Sequence, residues 1–156
     1  MKIKWKTLLI CIAIPLIAGG VAGFISKNSM GTFEVLDKPP LSPPGWVFPV
    51  AWTILYILMG IASYLILTSR APQENIGRAI RLYGLQLFFN FFWSFLFFNL
   101  NLYFFAFIWL VTLWLLILAT TISFLRISKI AAYFMLPYLL WVTFAGYLNL
   151  GIAILN

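Results

Sequence analysis

The chain has 156 residues, 64% of them apolar and 8% charged, with a mean hydropathy of +1.05 and a formal net charge of +7. A soluble domain carries about 25% charge, so these side chains cannot cover a water-facing surface of this size, and the apolar surface must face lipid. There is no His, a single Cys and three acids (Glu34, Asp37 and Glu74), none of them in an apolar stretch. That composition excludes a His-based triad, a thiolate metal cage and an intramembrane carboxylate pair, and neither a metal nor a required cofactor is expected.

Five apolar stretches, each near the roughly 20 residues that cross the hydrocarbon core, predict an all-α membrane protein, a five-transmembrane-helix bundle in a single domain spanning 1–156. They fall at 7–26, 46–68, 79–99, 103–125 and 130–154. The first follows Lys2, Lys4 and Lys6 as the core of a signal peptide would. Its apolar run is long and contains Pro15, and no A-x-A-like site follows, so it reads as a retained helix. Within it Gly19 and Gly23, and Ala18 and Ala22, stand four apart, a spacing that lets helix backbones approach in lipid. That face could serve contacts inside the bundle or between subunits. Residues 27–45, KNSMGTFEVLDKPPLSPPG, hold Pro39, Pro40, Pro43 and Pro44, which fix φ and remove N–H donors. This segment is ordered without being a continuous helix, and serves either as a lid over one end of the bundle or as a stiff linker. Residues 69–78 read as a polar loop, 100–102 as a tight hairpin that makes the third and fourth helices antiparallel neighbours, and 126–129 as a brief turn.

Charge sets the expected orientation. With five crossings, Lys2, Lys4, Lys6, Arg70, Arg78, Arg81, Arg126 and Lys129 share one side, against Lys27 and Lys38 on the other. The positive-inside rule then puts the N-terminus in the cytoplasm, with the Pro-rich segment and the C-terminus outside. Cations at helix ends are topology signals, and nucleic acid is not an expected partner.

Polar side chains inside a membrane are the informative exceptions. In the third stretch Gln86, Asn90, Trp93 and Ser94 fall at i, i+4, i+7 and i+8, one helix face. Trp52, Tyr56, Gly60 and Ser63 trace a stripe in the second, and Trp141, Ala145 and Asn149 another in the fifth, one turn after Pro137. Such groups can glue helices together, at about 1 kcal/mol or less per hydrogen bond. Large aromatics beside small residues on three helices also suit a cavity for a flat apolar ligand.

The segment KPPLSPPGWVFPVAWTILY (residues 38–56) is similar to the KPxWxPPxWVFxxxWxxLY signature of the TspO/MBR family, which includes tryptophan-rich sensory proteins and the mitochondrial translocator protein, or peripheral benzodiazepine receptor. Gln86-Leu87-x-x-Asn90-x-x-Trp93 resembles the family's QLxxNxxW, and residues 137–149, PYLLWVTFAGYLN, its PYLxWxxFAxxLN. The resemblance covers essentially the whole chain, in order. It implies a five-helix bundle in the cell membrane, bacterial for a member of this type, usually as a homodimer, with a pocket closed by the first loop. The implied ligand is a porphyrin such as protoporphyrin IX, with isoquinoline carboxamides and benzodiazepines as synthetic ligands. The implied role is sensory or regulatory tetrapyrrole binding, extending in some members to light-dependent porphyrin breakdown. Transport of porphyrins or other small apolar ligands is the alternative.

Two family tryptophans implicated in that breakdown match Trp52 and Trp141. Pocket positions match Asn90, Trp93 and Ser94, and a loop aromatic falls at Phe33. Together with Tyr56, Gln86, Ala145 and Asn149 from the stripes, these make the expected ligand-binding set. Lys38 on the loop offers a partner for a propionate. Leu41 replaces the Trp of KPxWxPP, and Thr32 stands where many relatives have another Trp, so the lid is expected to have less stacking surface. No conventional acid–base or metal chemistry is available, so any enzymatic step would come from the bound pigment and oxygen.

Overall fold

The computed structural model describes residues 2–156, except for the side chains of Met30 and Thr32. The Thr32 substitution therefore lies outside the described residues. Five long helices form an all-α membrane bundle: α1 (Trp5–Ser26), α3 (Val47–Leu67), α4 (Gln73–Ser94), α5 (Tyr103–Leu125) and α6 (Lys129–Leu155). A one-turn-and-a-half helix, α2 (Met30–Val35), interrupts the first connection. The Pro-rich part beyond it is ordered but not helical, with Leu41 in the left-handed region at φ 70°.

The largest departure from expectation is the start of α4. The helix begins at Gln73, six residues before 79, inside what reads as a loop. Its first turns are polar, and hydropathy reports burial in lipid rather than helicity. Pro72 stops the chain just ahead of it, Glu74 sits in the first turn where the helix dipole favours a carboxylate, and Arg78 pairs with Glu74 across one turn at 3.5 Å. At its other end α4 continues as a π-helical turn, Phe95–Asn99, into a hairpin where Asn101 takes φ 55°. α6 starts on an N-cap, the Ser128 hydroxyl accepting the Ala131 N–H at 3.3 Å. Pro15 and Pro137 lie inside α1 and α6 without ending them, as membrane helices allow.

The helices close into a ring in the order α1, α3, α6, α5, α4, with α4 returning to α1 and also touching α3. α1 is seated on α3 through backbone: a Cβ on Gly60 would stand 2.6 Å from the Ile12 Cα. The Gly19 and Gly23 face does not make such a helix crossing. A Cβ at Gly19 would overlap the Tyr56 ring, and Gly23 faces open space. Outward-facing side chains are apolar, among them Leu9, Ile17, Phe24, Ile108 and Leu140, each more than half exposed, which is the surface lipid requires.

The two ends of the bundle differ. The half that holds the start of α1, the end of α3 and the start of α4 is filled. Met59, Ile66, Ala79, Leu113, Ile117, Phe124 and Met135 are inaccessible there. In the other half the side chains stand back from the axis, and α2 and the Pro-rich segment cover the end.

Candidate ligand-binding cavity

The cavity in that second half has a volume of about 410 Å³, within the range of roughly 300–1,000 Å³ usual for small-molecule sites. Four helices and α2 contribute to it. On α3, Phe48, Trp52 and Tyr56 recur every four residues and so share one face. The Trp52 and Tyr56 rings stack at 5.6 Å, and Trp52 meets Trp141 of α6 edge-on, with centroids 6.4 Å apart and planes at 87°. On α4, Trp93 stacks on Phe97 at 5.2 Å. Phe33 of α2 is buried, meets Phe48 edge-on at 5.4 Å and completes the aromatic frame. Apart from Leu16, α1 presents small residues here, Gly19, Gly20, Ala22, Gly23 and Ser26, and Gly20 and Gly23 have nothing within 4 Å of where a Cβ would be. The free volume therefore exists because α1 is smooth while the other walls are aromatic.

The polar groups form two chains. The Tyr56 hydroxyl donates to Asn90 Oδ1 at 3.1 Å, Asn90 Nδ2 donates to the Tyr138 hydroxyl at 2.7 Å, and Tyr138 donates to Gln86 Oε1 at 2.7 Å. In the second chain Trp93 Nε1 donates to Asn149 Oδ1 at 3.0 Å, and Asn149 Nδ2 donates to the Tyr103 carbonyl at 2.8 Å. Bonding buried amides this way is what a membrane interior demands, and it leaves Gln86 Nε2 without a partner. The same residues thus tie helices together and line the space between them. Ser94 bonds back to the Phe91 carbonyl of its own helix at 3.0 Å. Trp141 Nε1 is buried without a partner.

Of the residues singled out in the sequence, Phe33, Trp52, Tyr56, Asn90, Trp93, Ser94, Trp141, Ala145 and Asn149 all line the cavity. Gln86 does not. It is fully buried one turn deeper, where it holds the far end of the Tyr56–Asn90–Tyr138 chain. Lys38 is engaged elsewhere: its Nζ donates to the Glu34 and Leu36 carbonyls at 3.1 and 3.3 Å, closing the end of α2, and lies 4.9 Å from the Phe33 ring centre. Leu41 is 85% exposed, so the side chain at that position adds nothing to the cavity wall. The wall residues that the sequence stripes do not include are the aromatics Phe48, Phe97 and Phe98, the α1 residues from Leu16 to Ser26, and Pro49, Thr53, Leu148 and Ile152. Phe48 stands one turn before Trp52 and extends its stripe. Phe97 and Phe98 cannot be told from their neighbours by pattern, because 88–98 is almost continuously aromatic and shows no preferred face.

The Pro-rich segment is fastened down as a roof. The Asp37 N–H donates to Asn156 Oδ1 at 3.2 Å and Asn156 Nδ2 donates to the Asp37 carbonyl at 2.8 Å, so one amide side chain pairs with both backbone groups of a single residue, as a neighbouring strand would. The Tyr147 hydroxyl donates to the Pro40 carbonyl at 2.6 Å. Gly151 admits the Pro39 ring, whose Cγ would stand 2.5 Å from any Cβ there. Of the two roles open to 27–45, this geometry is that of a lid.

An integral membrane protein of five helices, filled at one end and roofed over an aromatic chamber at the other, is the class that fold and site define. The chain belongs to the TspO/MBR family, whose model matches residues 11–155. It is 39% identical over 152 residues to the tryptophan-rich protein TspO of Chlorobaculum tepidum, covering 96% of each chain. It is 37% identical to the tryptophan-rich sensory protein of Cereibacter sphaeroides, over 80% of this chain and 76% of that one. It is also 34% identical to the translocator protein of Ovis aries, over 84% and 79%.

Proposed function

We propose that this protein binds a flat, mainly apolar tetrapyrrole of the protoporphyrin IX type in the roofed cavity and serves as a membrane sensor or regulator of that pigment. The observation that carries the reading is the perpendicular pair Trp52 and Trp141, 6.4 Å apart on the wall of a 410 Å³ chamber. An indole face can stack on a macrocycle while the second indole meets its edge. Trp52, Trp93 and Trp141 are the contacts assigned to the ring, with Phe33, Tyr56, Asn90, Ser94, Ala145 and Asn149 completing the wall. Illuminated porphyrin generates reactive oxygen, and indoles are readily oxidised. Trp52 and Trp141 are therefore assigned the steering of light-driven porphyrin loss, which needs no acid, base or metal. Sensory and translocator are both names carried by relatives. Transport would require the filled half to part, and nothing in the packing favours that reading. The chain is proposed to act as a homodimer in a bacterial cell membrane. Its N-terminus is assigned to the cytoplasm on the excess of eight cations over two.

The test is a spectral titration with protoporphyrin IX in darkness, followed by illumination of wild type, Trp52→Phe, Trp141→Phe and protein-free detergent. Saturable dark binding is expected in all three proteins, with altered rate or products of light-driven loss in the two variants. Identical bleaching in all four samples would remove the degradative role and leave binding. Absence of saturable dark binding in wild type would remove the tetrapyrrole reading.

A further inference from the structure

The end of the bundle opposite the roof carries cations that neither the fold nor the cavity uses. α4 and its π-helical continuation run from Gln73 to Asn99, 27 residues, or about 40 Å at a rise of 1.5 Å per residue, against roughly 30 Å of hydrocarbon. The excess length is the polar start of the helix, so Arg78 and Arg81 stand at the depth of lipid headgroups. Arg78 is paired with Glu74. Arg81 is exposed and makes no salt bridge among the described residues, and the same holds for Arg126 at the end of α5.

The packing of α4 on α5 sets these two arginines side by side. Tyr83 of α4 stacks on Phe124 of α5 with centroids 6.0 Å apart, and both rings are buried. Arg81 precedes Tyr83 by two residues and Arg126 follows Phe124 by two. Because the helices run antiparallel, both arginines lie at one level, just beyond the ring pair. Two residues turn a helix by about 200°, so each arginine leaves its helix on the side away from the bundle. Below them the same outward faces are apolar. Leu85 and Phe88 follow Arg81 after one and two turns, Ile122 and Leu115 precede Arg126 by one and three, and all four are exposed.

We infer that this outer face of α4 and α5 is a binding site for an anionic phospholipid, with its phosphate between Arg81 and Arg126 and its acyl chains over Leu85, Phe88, Ile122 and Leu115. Guanidinium groups are weakly hydrated and bind phosphate oxygens in pairs, and cations at this depth attract anionic lipid. Two unpaired arginines leave a surplus of charge that a zwitterionic headgroup, which brings its own cation, cannot neutralise. A free phosphate would match the arginines and leave the apolar faces uncovered. Lys2, Lys4 and Lys6 share this end of the bundle but belong to the start of α1, where the Lys4 N–H donates to the Tyr64 hydroxyl of α3 at 2.9 Å. They form a separate cluster of charge.

The test is native mass spectrometry of the protein released from nanodiscs that hold phosphatidylglycerol and phosphatidylcholine in equal amounts. Wild type is expected to retain the anionic lipid over the zwitterionic one by at least about fivefold. The double variant Arg81→Gln, Arg126→Gln should retain the two about equally. Both arginines are exposed, so its Tm in phosphatidylcholine alone should match that of wild type. The triple variant Lys2→Gln, Lys4→Gln, Lys6→Gln removes more charge and should keep the wild-type preference. Excess inorganic phosphate should displace no lipid. Equal retention of both lipids by wild type, or a preference that survives loss of the arginine pair, would overturn the site. So would an equal loss in the lysine variant, which would assign the preference to diffuse charge, or displacement by phosphate, which would make it an anion site without a lipid.

Discussion

The two halves of the bundle are built from the same five helices, yet one is solid and the other hollow. In the solid half α1 lies directly on α3, because Gly60 lets the Ile12 backbone close on it. Leu113, Ile117, Phe124 and Met135 fill what remains. In the hollow half α1 carries glycine and the partners carry Trp and Phe. The large rings brace one another at 5.2–6.4 Å from centre to centre; Tyr56 meets α1 at Gly19, and Gly20 and Gly23 beside it stay uncovered. Aromatic rings are stiff and are locked here by hydrogen bonds such as Trp93 to Asn149, so they hold a space open that aliphatic side chains would fill. Glycine therefore has opposite uses at the two ends, contact at Gly60 and vacancy at Gly23.

The largest expected effect comes from breaking the solid half. Gly60→Leu drives a side chain into the Ile12 backbone and should cost at least roughly 3 kcal/mol, the upper end for overpacking a core. Thermal unfolding in detergent would show it as a large drop in Tm, and an unchanged Tm would mean that α1 is not seated on α3 as described. Next in size is Trp93→Ala in the hollow half. Loss of one stacking surface should weaken porphyrin binding by about 1–3 kcal/mol, or about 5- to 150-fold. Trp93→Phe should recover most of the loss, and a dark titration distinguishes them. The smallest effect belongs to the roof. Asn156→Ala removes both bonds to Asp37, which are solvent-exposed and together worth about 1 kcal/mol, the lower end for net hydrogen bonds. It should accelerate ligand release in stopped-flow while leaving Tm nearly unchanged. If release were no faster, the roof would not govern access.

Much of this architecture is legible in the sequence because an apolar run of membrane length is stable in few settings besides a bilayer. What periodicity reports is a face, not a depth. Gln86 and Asn90 share a face as their spacing requires, but one turn separates the cavity floor from the filled half, so Asn90 lines the space and Gln86 supports it from below. Lys38 departs from its expected role for a local reason. The six-residue helix α2 carries no apolar run of its own to announce it, and its free carbonyls take the amine. The Gly19 and Gly23 spacing signals close approach, which occurs at Gly19 with a side chain and not at Gly23 at all. A glycine pattern shows that a Cβ is unwanted, and not whether a helix, a ring or a ligand needs the room. The start of α4 is hidden because its polar turns lie outside the run that hydropathy detects.

We propose that the hollow half is a ligand site, kept open because α1 presents chiefly glycines and other small residues to it. Gly23→Leu tests it most directly, because the added side chain enters open space and leaves the packed half untouched. Wild type and Gly23→Leu would be titrated with protoporphyrin IX in darkness, alongside their Tm values. Saturable binding by wild type is expected, with none or a severe loss in the variant and Tm values that agree closely. Equal binding by both proteins would contradict it, placing the ligand outside the chamber.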